Sequence, residues 1–419
     1  MKHSKYLASI AFFILAVNQL QAQNTLSLQE VYQEIESKNP QLKVTDATIR
    51  SMDELAKGAK NWMAPTFGTG LYMAPYNPAL WKRMADGTTG MGQYMISAEQ
   101  MFPNRRLQNA ETDYLNAASS VEKERKTAVV SVLYNDAKEN YYTWQILIKK
   151  LEILNQNEQL LRFMIKSTEI RYKNGSGKLN SYYKTKASLG SVEKMRLEIE
   201  NEINQKRISL NTLMNRNKLD SLNIDTSMVI ASLLKTRVDT SPSTIYRSDV
   251  KAVEQEIKLI ALQQRIENAK IKPELGIRYD HMFGFGGIPM QYTLMGMVKI
   301  PLRWSTRTEK ANIESLKWKA EALSLQKEVL LNEANGKASG IISQLAMKNK
   351  QLSLYETNIL PALRKNFQTT QIAYEQNTED LSVLNEAWET LNLTQLEYLD
   401  QVASYLVLQV TLDRVLERK

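Results

Sequence analysis

The chain has 419 residues, 43% of them hydrophobic and 24% charged, with a formal net charge of +9. Zero cysteines exclude disulfides, a thiolate metal site and a lipid anchor on an N-terminal cysteine, and two histidines leave little material for a histidine-based triad or metal site. The basic excess is spread along helical stretches and not clustered with aromatics, so it gives no nucleic-acid footprint.

In chain order, Lys2 and Lys5 precede an apolar run from Tyr6 to Val17, then Leu20-Gln21-Ala22. This predicts an export signal over residues 1–22, whose removal leaves a net charge of +7. Beyond it no stretch approaches the roughly 18 continuous apolar residues of a spanning helix. If the chain crosses a bilayer, it does so as strands.

The first repeat covers 23–216. After Asn39-Pro40-Gln41-Leu42 and Ala64-Pro65-Thr66-Phe67-Gly68 come two alternating segments, about 67–74 and 93–101. In the second, Tyr94, Ile96 and Ala98 oppose Gln93, Ser97 and Glu99. From Asn104 to Asn174 there is neither Gly nor Pro, which predicts a helix of about 105 Å, coiled-coil-like in length. Leu107, Ala110, Tyr114, Ala117 and Val121 keep 3/4 spacing. So do Trp144, Leu147, Leu151, Leu154, Leu161 and Ile165, with Glu158 interrupting. A turn at Tyr172 to Leu179 and a return helix complete a long hairpin over 104–216.

Residues 217–246 read as a linker, an equatorial region around the helices. The second repeat, 247–419, then restates the first about 208 residues later. Arg247-Ser248-Asp249-Val250 answers the Asn39 opening, and Lys272-Pro273-Glu274-Leu275-Gly276 answers Ala64 to Gly68. Strands are predicted at about 274–282 and 291–300. Tyr292, Leu294, Gly296, Val298 and Ile300 share one face of the latter; Gln291, Thr293, Met295, Met297 and Lys299 share the other. A second hairpin over 304–417 is expected to be broken at Gly336, Gly340 and Pro361. Its turn, Tyr374 to Leu381, matches the first, with Asn377 in the slot of Gly175. Those two residue types best tolerate a left-handed helix end. Ten of the 16 glycines lie in 68–92 and 276–296, and seven of the 10 prolines in 65–103 and 273–301, which confines the breakers to two strand zones.

Four strands cannot close a membrane barrel, for which about eight are the practical minimum. Two chains would supply eight and three would supply twelve, each oligomer ringing its helices into a second tube. The fold class is mainly α with membrane β.

At this point the chain resembles the outer-membrane efflux, TolC-like, family. The resemblance is carried by the openings at Asn39-Pro40 and Arg247-Ser248-Asp249, and by the approaches Ala59-Lys60 to Pro65 and Ala269-Lys270 to Pro273. The exits Gln100-Met101-Phe102-Pro103 and Ile300-Pro301-Leu302 and the two tyrosine turns add to it. It covers nearly the whole mature chain and implies a homotrimer in outer-membrane lipid. Such a trimer has a shared twelve-stranded β-barrel and a periplasmic helical α-barrel. The sequence holds no P-loop, dinucleotide fingerprint, HExxH or Cys/His nucleophile arrangement, so neither a cofactor nor enzymatic activity is expected. The resemblance also implies docking to a periplasmic adaptor (membrane fusion) protein and an inner-membrane transporter, for instance of the resistance-nodulation-division type.

The resemblance places a tip constriction at Glu386, Val383 and Glu379. The family's two aspartates fall on Val383 and Glu386, so only Glu386 keeps the charge, and a tip-closing arginine falls on Glu379. Adaptor-docking turns fall on Tyr172, Gly175, Leu179, Tyr374, Asn377 and Leu381. A resident metal is not expected. Met282, Met290, Met295 and Met297 are weak candidates because thioethers are soft ligands, although methionine also serves as flexible apolar filler. The rival reading is a periplasmic coiled-coil scaffold or adaptor without a pore. One helical hairpin would suit that reading better than two.

Overall fold

The computed structural model describes residues 25–175, 178–226 and 247–418. The expected export signal and the part of the linker beyond residue 226 lie outside the described residues. The chain divides into two units. One comprises Val44–Lys126 and Ser248–Leu331; the other comprises the described parts of Met1–Lys43, Thr127–Arg247 and Asn332–Lys419.

The elements in order are β1 (Thr25–Leu26), α1 (Leu28–Lys38), α2 (Pro40–Lys57), β2 (Thr66–Tyr72), β3 (Gln93–Phe102), α3 (Arg105–Lys173) and α4 (Leu179–Leu213). There follow β4 (Asn223–Ile224), α5 (Ser248–Lys270), β5 (Glu274–Gly284), β6 (Gln291–Lys299), α6 (Arg307–Leu354), α7 (Leu360–Glu375) and α8 (Leu381–Leu416). Among the described helices none is long and apolar enough to cross a membrane.

Local chemistry explains the helix starts. Ser27 and Glu30 form a reciprocal cap on α1, Glu30 Oε2 accepting from Ser27 N at 2.7 Å and Ser27 Oγ from Glu30 N at 3.3 Å. Asn39-Pro40 is a cap followed by a proline that has no orphan donor to lose. Asn39 Oδ1 accepts from Gln41 N at 2.9 Å, and its Nδ2 donates to the Leu213 carbonyl at 2.8 Å, pinning the α1–α2 corner to the end of α4.

The helical unit is held by seven-residue spacing. On α3, Leu147, Leu154 and Leu161 are buried; on α4, Thr185, Val192 and Ile199; on α8, Asn385, Asn392, Leu399 and Leu406; on α6, Ala338, Leu345 and Leu352. A strict seven-residue stripe keeps facing its neighbour only if helices supercoil slightly, as in coiled coils. Leu154, Leu161, Val192, Leu384 and Trp388 meet in one cluster, and Leu345, Leu352, Val402 and Leu406 in another. Two buried polar layers interrupt the stripes. Asn385 Nδ2 donates to Thr185 Oγ1 at 2.7 Å. Asn157 donates to Asn392 Oδ1 at 2.6 Å and accepts from Trp388 Nε1 at 2.8 Å.

The second hairpin departs from expectation. Gly336 and Gly340 do not break α6, which runs through both. Ala334 and Ala338 are buried beside them, and such packing outweighs the roughly 1 kcal/mol that each helical glycine costs. Pro361 does act, through a π-helical turn at Tyr355–Ile359 in which Leu360 N–H reaches back to the Tyr355 carbonyl. The turn absorbs the missing proline donor by widening the helix.

The strand-bearing unit holds a four-stranded sheet ordered β2-β3-β5-β6, antiparallel throughout. The strands lie where alternation placed them, with β5 two residues longer than expected. β2 ends earlier, at Tyr72, because Met73 takes a left-handed conformation (φ 50°) and leaves the pleat. Among the described residues the outer edges of β2 and β6 have no strand partner.

Two outcomes are expected for the helical unit. Leu161→Ala removes a fully buried side chain and should cost about 2–5 kcal/mol, whereas Leu197→Ala, at an exposed site, should change stability by less than about 0.5 kcal/mol. Urea unfolding of the two variants in detergent checks the difference; equal midpoints would remove this cluster from the core. Acid should also weaken the α1–α4 corner. Arg216 grips the Glu34 carboxylate, with Nε at 2.7 Å, and holds its pKa below the usual carboxylate range. The resulting stabilisation is complete above the unfolded value of about 4.3 and disappears as pH falls through the lower folded value. Glu34→Gln should therefore flatten the acid limb of melting temperature against pH, and an unchanged limb would assign that loss elsewhere.

Candidate functional site

Two regions carry functional features: the faces of the sheet and the pair of helical turns.

The register sorts the strand residues into two faces. On one face, Phe67, Ala98, Tyr279 and Leu294 form a row, flanked by Thr69, Ile96, His281 and Tyr292, then Leu71, Tyr94 and Phe283. Toward the other end come Gln100, Ile277 and Gly296, then Phe102, Leu275 and Val298. Most of these are large apolar side chains, and most are exposed, Phe67, Tyr292 and Leu294 among them. Aromatics gather at both ends. Tyr94, His281, Phe283 and Tyr292 lie at one, and Trp62 packs edge-on against Phe102 at the other with the ring centroids 5.5 Å apart. Phe102 and Tyr94 are separated by about 26 Å of strand, the height of a lipid-facing band with its two girdles.

The opposite face is polar. Its rows are Thr66, Glu99, Arg278 and Met295; Gly68, Ser97, Asp280 and Thr293; and Gly70, Met95, Met282 and Gln291. Arg278 Nε donates to Asp280 Oδ1 at 2.9 Å, Gln93 Nε2 to Gln291 Oε1 at 3.1 Å, and Lys299 Nζ to Glu274 Oε2 at 3.0 Å. Asp280 is only 3% exposed, so this charged face is the more sheltered one. An apolar face turned outward and a charged face sheltered are inverted relative to a water-soluble sheet.

A loop closes one end of the sheet. Trp81 stacks on Phe285 with 5.3 Å between centroids, and Gly90 N donates to the Gly286 carbonyl at 2.9 Å. A side chain at Gly286 would come within 2.7 Å of Gly90 Cα, so the backbones touch where only glycine fits.

At the helical turns, Gly175 (φ 73°) and Asn377 (φ 60°) adopt the left-handed ends expected of them. The turns nevertheless differ. Tyr172 and Leu179 are exposed, whereas Tyr374 and Leu381 are buried. The reason is Arg171, whose guanidinium lies 4.3 Å over the Tyr374 ring while Nη1 donates to Asn377 Oδ1 at 2.6 Å and Nη2 to the Tyr374 carbonyl at 3.3 Å. Lys178 adds an ion pair to Asp380 at 2.7 Å. Together with Thr168, Ser181 and Glu379 these residues line a cleft of about 140 Å³. Val383 and Glu386 sit three residues apart on the exposed side of α8, while Leu384, Asn385 and Trp388 face inward.

Sequence reasoning missed Arg171, Lys178 and Asp380, and the Thr185–Asn385 layer. Lys178 and Asp380 cap the starts of α4 and α8 and the others lie within helices, but every one has its partner about 200 positions away, so no local spacing marks it. Of the four methionine candidates, Met282, Met295 and Met297 lie on the polar face and Met290 outside the strands.

Residues 31–216 match the family model described as outer membrane efflux protein. Among solved structures, the outer-membrane channel OprN aligns at 14% identity over 94% of this chain and 90% of its own, with a TM-score of 0.69. The outer membrane protein VceC from Vibrio cholerae aligns at 15% identity over 93% and 95%, with a TM-score of 0.68. The Neisseria gonorrhoeae MtrE outer membrane channel, in its open state, aligns at 12% over 93% and 88%, also with a TM-score of 0.68. A search of curated proteins gives no match. Residues 31–216 thus resemble the outer membrane efflux protein family, and the chain as a whole has the fold of TolC-like outer-membrane channels.

Proposed function

We propose that this chain is the outer-membrane duct of a tripartite export system, a passive trimeric channel with no chemistry of its own. The observation that carries the reading is the inverted sheet. Its apolar, aromatic-ended face suits lipid, its charged face suits a water-filled lumen, and its two open edges require pairing with further copies. In this reading 23–216 and 247–419 are two equivalent repeats, and three copies close twelve strands, the β6 edge of one meeting the β2 edge of the next.

The helical turns form the periplasmic tip. Tyr172, Gly175 and Leu179 offer an exposed surface to a periplasmic adaptor, while Tyr374, Asn377 and Leu381 brace it from within. An inner-membrane transporter supplies the energy. Glu386, repeated in three copies around a narrow lumen, favours cations, with Val383 beside it and Glu379 at the turn. The deciding experiment is the mass of the mature protein in detergent together with conductance in planar bilayers. A trimer forming stable channels is expected. A monomer, or a species that stays soluble without detergent and never conducts, would support the scaffold reading instead.

Two variants test the tip. In a salt gradient, Glu386→Gln should move the reversal potential toward zero by weakening cation preference; an unmoved potential takes Glu386 out of the pore. Lys178 and Asp380 are both well exposed, so their pair contributes at most about 1 kcal/mol. Arg171 makes two hydrogen bonds and a ring contact. Arg171→Ala should therefore raise open-state occupancy more than Lys178→Ala does, and the reverse order in single-channel records would refute the assignment of Arg171 as the main tie.

A further inference from the structure

We propose that the charged face of the sheet carries two thioether pairs, Met95 with Met282 and Met101 with Met297, that bind soft monovalent cations of the copper(I) or silver(I) class. The proposal rests on the reading that this face lines the lumen, and it names a class of cargo for the duct.

The first observation is how methionine divides between the faces. The four strands contain five methionines, Met95, Met101, Met282, Met295 and Met297, and all five fall on the charged face. The apolar face, which uses Phe, Tyr, Leu, Ile and Val, has none. Methionine employed only as apolar filler would be at least as welcome on the lipid side. Here it is kept for the side that meets water and solutes.

The second observation is pairing. Met95 stands directly opposite Met282 in the β3–β5 register, so their Cβ atoms are about 5 Å apart on one face. Met101 and Met297 lie on β3 and β6 with Gly276 of β5 between them. A Cβ at Gly276 would sit 2.3 Å from Met101 Sδ and 3.2 Å from Met297 Cε. The two thioether ends therefore meet over a backbone position left bare, where even a Cβ would push the Met101 thioether aside.

The surroundings suit a cation. Glu99 and Asp280 occupy rows between the two pairs, and the one cation among them, Arg278, is already held by Asp280 at 2.9 Å. Thioethers carry no proton to displace and discriminate strongly by softness, taking copper(I) or silver(I) over sodium, magnesium or zinc. Two ligands per site give weak, exchangeable binding. A conduit needs such sites, because an ion must leave as readily as it enters.

The test uses the detergent-purified trimer in nitrate buffer, titrated calorimetrically with silver nitrate and, as a control, zinc nitrate. Wild type should bind silver saturably and show no zinc response at the same sites. Met101→Leu/Met297→Leu and Met95→Leu/Met282→Leu should each remove one silver site per chain, and the fourfold variant both. Met164→Leu, in the helical unit, should change nothing. Leucine conserves volume closely enough to keep the sheet folded. As a readout on unmodified protein, silver should protect Met95, Met101, Met282 and Met297 from sulfoxide formation by hydrogen peroxide, with no protection of Met290. Absence of saturable binding in wild type, full binding by the fourfold variant, or protection that ignores the pairs would overturn the proposal. Bilayer conductance of the same preparations reports separately on the duct, so a channel that conducts without binding silver sinks the metal sites alone.

Discussion

A sheet with an apolar face outward, a charged face sheltered and two open edges has no stable resting place in one polypeptide. In hydrocarbon each unpaired backbone donor or acceptor costs several kcal/mol, so the free edges of β2 and β6 are the strongest demand the molecule makes on its surroundings. The two edges belong to different strands, so in the proposed oligomer the contact that satisfies them is heterologous, and repeated heterologous contacts close into a ring when the rotation allows. Each strand of the four-stranded sheet adjoins a helix across two to eight residues: α2 leads into β2, β3 into α3, α5 into β5 and β6 into α6. Closing the strands thus commits the adjoining helices to lie side by side. The family fold supports that solution, and the trimer follows from it as a proposal.

The helical unit solves a different problem, which is register. Long helices with seven-residue stripes can slide by a whole heptad with little loss of apolar contact. The layers Thr185–Asn385 and Asn157–Asn392–Trp388 remove that freedom. A slipped register would bury amide and hydroxyl groups without partners, at about 1–3 kcal/mol each. Stability comes from the leucines, and the unique alignment from the few polar residues among them.

Much of this architecture was legible in the sequence because its signals are local. Alternation placed all four strands, since a period of two survives in Tyr292 to Ile300 whatever surrounds it. The absence of Gly and Pro from Asn104 to Asn174 revealed α3, and the left-handed ends at Gly175 and Asn377 followed from residue type. Illegible features were tertiary. Propensity alone makes Gly336 and Gly340 breaks, and the packing of Ala334 and Ala338 that overrides it is tertiary. The two turns looked equivalent because the tyrosine spacing repeats, yet Arg171 covers Tyr374 and leaves Tyr172 bare. The local difference is Arg171 before Tyr172 where Ala373 precedes Tyr374, but nothing in that window says that Arg171 reaches across to the other turn. The sorting of methionines was half visible: alternation put Met295 and Met297 together, but only the register brings Met101 over Gly276.

The ties at the turns also have a suitable strength. In the proposed duct the tip must stay shut alone and open when a partner binds. Moving a two-state element from 1:99 to 99:1 takes about 5.5 kcal/mol of differential binding. An exposed ion pair such as Lys178–Asp380 contributes at most about 1 kcal/mol, and a guanidinium over a ring about 0.5–2 kcal/mol. Summed over three copies, these ties come to about 1.5–9 kcal/mol, a range that brackets that requirement. A buried, fully desolvated pair could cost about 3–5 kcal/mol to break in each copy, beyond what a docking surface of ordinary size readily offsets. In the proposed duct, a lock built from partly and fully exposed side chains stays within reach of a partner docking at Tyr172, Gly175 and Leu179, and its Lys178–Asp380 part is sensitive to salt, as screened surface charges are.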